Sequence, residues 1–458
     1  MPPSTRSPSN PDMLRAERPV RMFVISLGCP KNLVDTEYIL GGIKGRLARI
    51  SFCNTLEDAD IILVNTCAFI EEAVSESIEV ILEVGGRKQD GQMLAVSGCL
   101  PLRYGREIET LLPEVDLFSY DIDPYRSAMA IAARYQGLEA GTLIQQGLHG
   151  PRICTGRPWH QYVKISEGCS NRCTYCLIPR IRGRFRCRPP QEIIEEINRL
   201  YSEGAREITL VAQDLTAYSA GGMALPGLLE LILRETDIPR LRLMYLYPDG
   251  VSGDLLQVMH DTTRICSYMD MPVQHASSRI LRAMGRKYSA EKLEETMSSI
   301  RKALPGISLR TTVMVGFPGE TKEDFAVLKE FVKRWRFHHL GCFAYSDEED
   351  APSSRLPGKI DPETAARRKA EIMELQAEIS TDINASMVGK VLDVLIEGAC
   401  EETDLLICGR TEFQAPEIDG LTYINDGNDG MAEPGDIAKV KITESHTYDL
   451  VGAVLPDR

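Results

Sequence analysis

Three cysteines spaced CxxxCxxC constrain this chain more than any other feature: Cys169, Cys173 and Cys176 in Glu167-Gly168-Cys169-Ser170-Asn171-Arg172-Cys173-Thr174-Tyr175-Cys176. Thiolates this close along the chain must share one small loop. Three of them suit a [4Fe–4S] cluster that keeps one iron free of protein ligands. A zinc knuckle would want four nitrogen or sulfur ligands, and no fourth follows at a suitable spacing. The chain holds 13 cysteines in all, an odd number, behind a start with no apolar export segment. Cysteines clustered in this way in a reducing compartment read as metal ligands rather than disulfides.

A second cysteine triplet is dispersed in sequence. Three apolar runs, Met22–Leu27, Ile61–Val64 and Met93–Val96, read as buried parallel strands. A helix-spaced stretch over Phe69–Val84 places them in an α/β layering. Each run leads to a cysteine: Gly28-Cys29-Pro30, Asn65-Thr66-Cys67 and Gly98-Cys99-Leu100-Pro101. The carboxyl ends of an open parallel sheet lie along one edge, where ligands bind, so Cys29, Cys67 and Cys99 can converge there as a second cluster site. A lone free cysteine is more often a small buried hydrophobe, and Cys53, which lacks this context, is read so.

Beyond the CxxxCxxC loop, strand-like runs alternate with helical ones. The strands are Glu207–Val211, Leu241–Leu246, Tyr268–Met271, Leu309–Val315 and Gly341–Tyr345, with helices such as Pro190–Glu203 and Ala290–Ala303 between them. This is the pattern of a full or partial (β/α) barrel, which carries its chemistry at the carboxyl ends of its strands. Gln213-Asp214, Gln274-His275 and Gly316-Phe317-Pro318-Gly319-Glu320 fall at those ends. Arg180, Arg182, Arg184, Arg186 and Arg188 alternate between Pro179 and Pro189, which predicts one face of an extended segment, either a solvated edge or a carboxylate-binding row.

The C-terminal region, with strands over Lys390–Glu397 and Ile437–Thr443 and Gly/Asp-rich turns, predicts a small β-barrel. From Ser386 to Arg458 it carries 15 acidic against 5 basic residues, a net of −10, most of the chain's −14. That balance disfavours a protein that grips nucleic acid by bulk charge and favours a basic protein partner. The resulting organisation is an α/β multidomain chain. It has a disordered tail (1–19), an open parallel α/β domain (20–136), a linker (137–154), a barrel core (155–385) and a small OB-like C-terminal barrel (386–458). No run reaches the ~18 apolar residues of a membrane helix, and a cytoplasmic location is expected.

From about Arg21 onward the chain resembles the methylthiotransferase family of radical S-adenosylmethionine enzymes. The motifs that carry this are Ser26-Leu27-Gly28-Cys29-Pro30-Lys31-Asn32 with Val34-Asp35-Thr36-Glu37, then Met244-Tyr245-Leu246-Tyr247-Pro248, Pro272-Val273-Gln274-His275-Ala276-Ser277 and Phe343-Ala344-Tyr345-Ser346. They look most like the branch that modifies an aspartate of small-subunit ribosomal protein S-twelve. Relatives that modify tRNA typically carry Gln-Met-Asn after the first cysteine, where this chain has Pro30-Lys31-Asn32.

The resemblance implies a methylthiotransferase domain, a radical core and a C-terminal TRAM barrel. It also implies two [4Fe–4S] clusters, an auxiliary one on Cys29, Cys67 and Cys99 and a radical one on Cys169, Cys173 and Cys176, together with S-adenosylmethionine. Tyr175 would pack near the adenine. Gln213 or Asp214 would replace the Gly-Gly-Glu that often holds the cofactor's amino group. Apart from the resemblance, the glycine-rich turn Gly316–Glu320 at a strand's carboxyl end is either an ordinary loop or a close approach to the cofactor. Cys154, Cys187, Cys266, Cys342, Cys400 and Cys408 match no ligand position.

The implied reaction is abstraction of a β-carbon hydrogen by an adenosyl radical. Transfer of a methylated sulfur from the auxiliary cluster follows, with the two clusters facing one substrate cavity. A flavodoxin or ferredoxin is the expected electron donor, and neither DNA nor membrane is an expected partner. The rival functions are tRNA methylthiolation and a non-catalytic iron–sulfur protein that binds the ribosome.

Overall fold

The computed structural model describes residues 18–47, 49–138, 152–400, 403–426 and 432–456, without the side chains of 403–405. Nearly all of the expected tail and most of the expected linker therefore lie outside the described residues. The chain divides into two compact units, Met1–Ile153 and Cys154–Arg458.

The first unit is built on five parallel strands, β1 (Val20–Ser26), β2 (Ile50–Phe52), β3 (Ile61–Thr66), β4 (Met93–Gly98) and β5 (Leu117–Phe118), in the order β2-β1-β3-β4-β5. Every residue of β3 and β4 is buried, as expected where helices cover both sheet faces. The predicted 69–84 helix forms as Glu71–Arg87, its acidic start suiting the helix dipole. On the sheet, Ile39, Leu40 and Ile43 of the helix Pro30–Leu47 and Ala128 and Ile131 of the helix Pro124–Tyr135 close a core around Met22, Ile61, Leu63 and Ala95.

The second unit opens with β6 (His160–Lys164), then the short antiparallel pair β7 (Ser166–Glu167) and β8 (Arg186–Cys187). There follow β9 (Glu207–Val211), the hairpin β10 (Ser219–Ala220) and β11 (Met223–Ala224), β12 (Arg240–Leu243), β13 (Tyr268–Asp270), β14 (Ser308–Val315) and β15 (His339–Ala344). Two parallel three-stranded sheets, β12-β9-β6 and β13-β14-β15, meet where Leu241 bridges Ile265 and Leu246 N donates to Asp270 O at 2.9 Å. Helices such as Pro190–Ser202 and Ala290–Ala303 cover the outside, burying Ile193, Ile197, Leu293, Met297 and Ile300. The arrangement is a partial (β/α) barrel.

Two sequence readings change here. Strand β6 is not among the strands read from the sequence, and His160, Gln161 and Lys164 interrupt its apolar pattern. All three are buried, with His160 Nε2 3.0 Å from Thr209 Oγ1 and Lys164 Nζ 2.6 Å from Glu167 Oε2. The arginine row is not extended along one face. Arg180 lies in the short helix Ile178–Ile181, and only Arg186 falls in a strand. Arg182 and Arg188 turn inward to Glu167 and Glu196, whereas Arg180, Arg184 and Arg186 are exposed. A turn at Gly183 breaks the two-residue period.

A closed barrel ends the unit: β16 (Val391–Cys400), β17 (Thr403–Thr411), β18 (Thr422–Asp426), β19 (Ile437–Ser445) and β20 (Leu450–Val454), in the order β16-β17-β18-β20-β19. It sits under the amino ends of the core strands. Arg410 Nη1 and Arg242 Nε reach Glu207 at 3.0 and 2.8 Å, and all three side chains are fully buried. Glu412 Oε2 accepts from Ser267 N at 2.7 Å, and Asp419 Oδ2 accepts from Tyr268 Oη at 2.8 Å. Phe413 O lies 2.8 Å from His339 Nε2. Glu397 holds Arg410 Nε at 2.7 Å, so Glu397, Glu412 and Asp419 are all used internally, and part of the acidity that the sequence assigns to a partner serves the fold. Among the described residues no helix is long and apolar enough to cross a membrane.

Candidate cluster and cofactor sites

In the first unit, Cys67 directly follows β3, Cys29 lies just beyond β1, and Cys99 opens the short helix Cys99–Tyr104 after β4. These strands are neighbours, so the three cysteines share one sheet edge. Gly28 has φ +87°, and a Cβ there would stand 2.7 Å from Cys67 Cβ and 2.9 Å from Cys67 Sγ, so only glycine lets these two turns approach.

A polar network stitches the turns together. Asn32 Nδ2 donates to Leu27 O at 2.7 Å and to Thr66 O at 3.2 Å. Asn65 Nδ2 donates to Asn32 O and to Thr36 Oγ1, both at 2.8 Å. Thr66 Oγ1 donates to Ser97 O at 2.6 Å and accepts from Leu100 N at 3.2 Å. The sequence reading missed this network. Its only signal is the polar Asn65-Thr66 pair that ends an otherwise apolar buried strand. Replacing Asn32 with alanine should therefore weaken iron binding at this edge by ~10–100-fold, the usual cost of losing a group that orients ligands. Iron content and Mössbauer signal per site would check it, with the CxxxCxxC site as internal control.

In the second unit, the CxxxCxxC loop is clamped on several sides. Cys169 N donates to Gly183 O at 3.2 Å, and Gly168, at φ +72°, lies against that backbone so closely that a Cβ would stand 2.6 Å from Gly183 O. Thr174 N donates to Met284 O and Ser353 N to Thr174 O, both at 2.9 Å. Asn171, inside the loop, donates to Asp214 Oδ2 at 2.7 Å and through its backbone N to Cys169 Sγ at 3.4 Å. Burial pushes the Cys176 thiol up to about 12 and raises that of Cys169. Such thiols stay protonated until a metal displaces the proton.

The predicted cofactor residues surround this loop. Gln213 Nε2 donates to Glu167 Oε1 at 3.3 Å, while its Oε1 is buried without a partner among the described residues. Asp214 holds Asn171 and Thr216. Tyr175 packs against Ile280, Met284 and Phe317. Gly316 and Gly319 take positive φ in the turn after β14. Glu320 is fully turned inward: its Oε2 accepts from the Gly316 and Phe317 amides, and its Oε1 meets Arg368 at 3.2 Å. Sequence reasoning also missed Glu167, fully buried beside the loop. Desolvation opposes its charge, but Lys164 and Arg182 prevail and hold its carboxyl at about 2. Tyr245 and Gln274, at the ends of β12 and β13, adopt φ +64° and +65°, strained values for such residues that cluster at functional sites.

Among the described residues no three His, Cys, Asp or Glu side chains converge on a point fit for a single metal ion. Mononuclear zinc wants four donors, whereas each of these sets has three cysteines, the number that a cluster with one open iron takes. The 430 Å³ cleft lined by Arg240, Cys266 and Glu412 lies at the amino ends of the strands and holds none of these residues.

Family models match this chain in three places: the radical SAM superfamily over residues 163–332, a TRAM domain over 388–455 and uncharacterized protein family UPF0004 over 21–119. The radical S-adenosylmethionine methyltransferase TsrM from Kitasatospora setae superposes with a TM-score of 0.57 at 13% identity, covering 79% of this chain and 89% of that one. The cobalamin-dependent radical enzyme OxsB gives 0.51 at 12% identity, covering 80% and 57%. These likenesses define the class by fold, a radical S-adenosylmethionine architecture.

Curated relatives narrow it. The ribosomal protein uS12 methylthiotransferase RimO of Geotalea uraniireducens is 43% identical over 95% of this chain and 98% of its own. Proteins of the same name from Geobacter sulfurreducens and Myxococcus xanthus are each 42% identical over 95% of this chain, covering 98% and 92% of theirs. The chain belongs to the family of RimO-type ribosomal protein uS12 methylthiotransferases.

Proposed function

We propose that this chain replaces a β-carbon hydrogen of an aspartate in ribosomal protein uS12 with a methylthio group. The observation that carries the reading is the presence of two separate three-cysteine sets in a chain 43% identical to such an enzyme across nearly its whole length. Two [4Fe–4S] clusters with S-adenosylmethionine would supply what acid–base chemistry cannot, cleavage of an unactivated C–H bond and a sulfur to insert.

The chain's own residues bind, orient and exclude water. Cys169, Cys173 and Cys176 would hold one cluster and leave an iron open to S-adenosylmethionine, and Cys29, Cys67 and Cys99 would hold the other. Gln213 Oε1 is the buried acceptor suited to the cofactor's amino group. Asp214 fixes the ligand loop through Asn171. Tyr175 would wall the adenine. The turn at Gly316, which packs on Ala365, would admit the cofactor, while Glu320 braces that turn. The described C-terminal barrel keeps exposed carboxylates, such as Glu433 and Glu444, that favour a basic partner. The domains we assign are 20–136, 155–385 and 386–458, in a cytoplasmic enzyme supplied with electrons by a flavodoxin or ferredoxin.

The test is a competition. The anaerobically reconstituted protein, with S-adenosylmethionine and reductant, is offered the uS12 loop peptide and a tRNA anticodon stem together. Mass spectrometry should find about +46 Da on the peptide aspartate, the mass of a methylthio group replacing hydrogen, with radical chemistry supplied by the cofactors. A methylthio group on the RNA alone would overturn the substrate assignment, and 5′-deoxyadenosine formation with neither product would overturn both.

A further inference from the structure

The chain passes back beneath the cysteine loop where the helix Ser278–Ala283 ends. Thr174 Oγ1 donates to Ala283 O at 2.8 Å, and Gly285 lies so close to the loop that a Cβ there would stand 2.5 Å from Arg172 O. The next residue, Arg286, therefore starts beside Cys173. Its guanidinium stands over the Tyr247 ring at 4.6 Å and the Tyr288 ring at 5.5 Å, and Nη2 donates to Pro272 O at 2.5 Å. Its Nε is sealed from solvent with no hydrogen-bond partner among the described residues. No described carboxylate forms an ion pair with it.

A buried cation without a counter-anion is costly, and aromatic faces offset only part of that cost. Desolvation works against the Arg286 charge, and the groups that favour it are Tyr175, Tyr288, Cys173 and Tyr247. Of these, Cys173 is the one that a cluster would turn into a permanent anion. A thiolate-bound cluster would supply the missing counter-charge.

We propose that Arg286 is a fixed positive charge that tunes the iron–sulfur cluster held by Cys169, Cys173 and Cys176, favouring its reduced form. This rests on the reading that those cysteines hold a cluster. Reduction adds one negative charge beside the guanidinium, so Arg286 makes the electron easier to accept. Arginine does not deprotonate, so the effect persists at every working pH. Arg286 is a positioning and tuning residue, not a catalytic one.

The experiment is a redox titration of the full-length, reconstituted protein, read by the electron paramagnetic resonance signal that changes when S-adenosylmethionine is added. In Arg286→Gln the reduction constant should fall about tenfold or more, with the midpoint more negative by ~59 mV per tenfold for one electron. Arg286→Lys should restore most of that shift, and iron content should match the parent protein. An unchanged midpoint in Arg286→Gln, or an equal shift in both variants, overturns the inference. Loss of this site's iron in both variants also overturns it, because a structural role would then explain the residue. Absence of any signal that responds to S-adenosylmethionine in the parent protein would instead refute the cluster assignment beneath it.

Discussion

Replacing Cys173 with alanine should abolish reductive cleavage of S-adenosylmethionine, while replacing Cys67 should spare cleavage and stop sulfur transfer. Cys173 belongs to a loop whose backbone is fixed by Gly183, Met284 and Ser353. Losing one of three ligands removes a bond that nothing else in that loop can replace. Residues that merely orient ligands cost ~10–100-fold when removed, and a ligand must cost more. Cys67 lies in the other compact unit, at an edge stitched by Asn32, Asn65 and Thr66. Measuring 5′-deoxyadenosine and methylthiolated peptide in parallel separates the two effects. Sulfur transfer by the Cys67→Ala protein would refute the division of labour between the sites.

The largest stability effect should come from Glu207. It is fully buried against Arg242 and Arg410. Glu207→Ala would leave the buried Arg242 guanidinium without a carboxylate and Arg410 with Glu397 alone, at a cost of ~3–5 kcal/mol. At ~2–4 °C per kcal/mol for a unit of this size, the thermal midpoint should fall by about 10 °C. Burial opposes the charge of Glu207, but Arg242 and Arg410 outweigh it and hold its carboxyl well below the usual range. The stabilisation is therefore fully present above the unfolded glutamate value, near ~4.3, and is lost as pH falls through the lower folded value. Glu207→Gln should flatten that acid limb of the stability curve. A midpoint within ~2 °C of the parent for Glu207→Ala would show that the pair contributes nothing net.

The sequence made the cysteines legible for a local reason. CxxxCxxC needs only one loop, and strands ending at cysteines need only the rule that parallel strands share a carboxyl edge. What stayed hidden depended on distant partners. Strand β6 reads as polar because the groups that satisfy His160 and Lys164, Thr209 and Glu167, belong to other strands. Glu207 and Arg410 meet across 203 residues, which no local pattern can signal. The arginine row obeyed a two-residue period that a helical turn at Ile178–Ile181 overrode. Glu320 was expected to approach the cofactor, and its Oε2 is taken by the turn's own amides, partners that the sequence does not display.

The segment Glu412–Asp419 floors the core strands at their amino ends, whereas the cysteine loop opens near their carboxyl ends. The small barrel's commitment to the core rests on few side chains, chiefly Arg410, Glu412 and Asp419. Its outward-facing residues are free of that duty. If that outer face recruits the substrate as proposed, recruitment and chemistry can drift independently: a lineage that recoloured it with the opposite charge would acquire a different clientele while inheriting the same reaction unaltered.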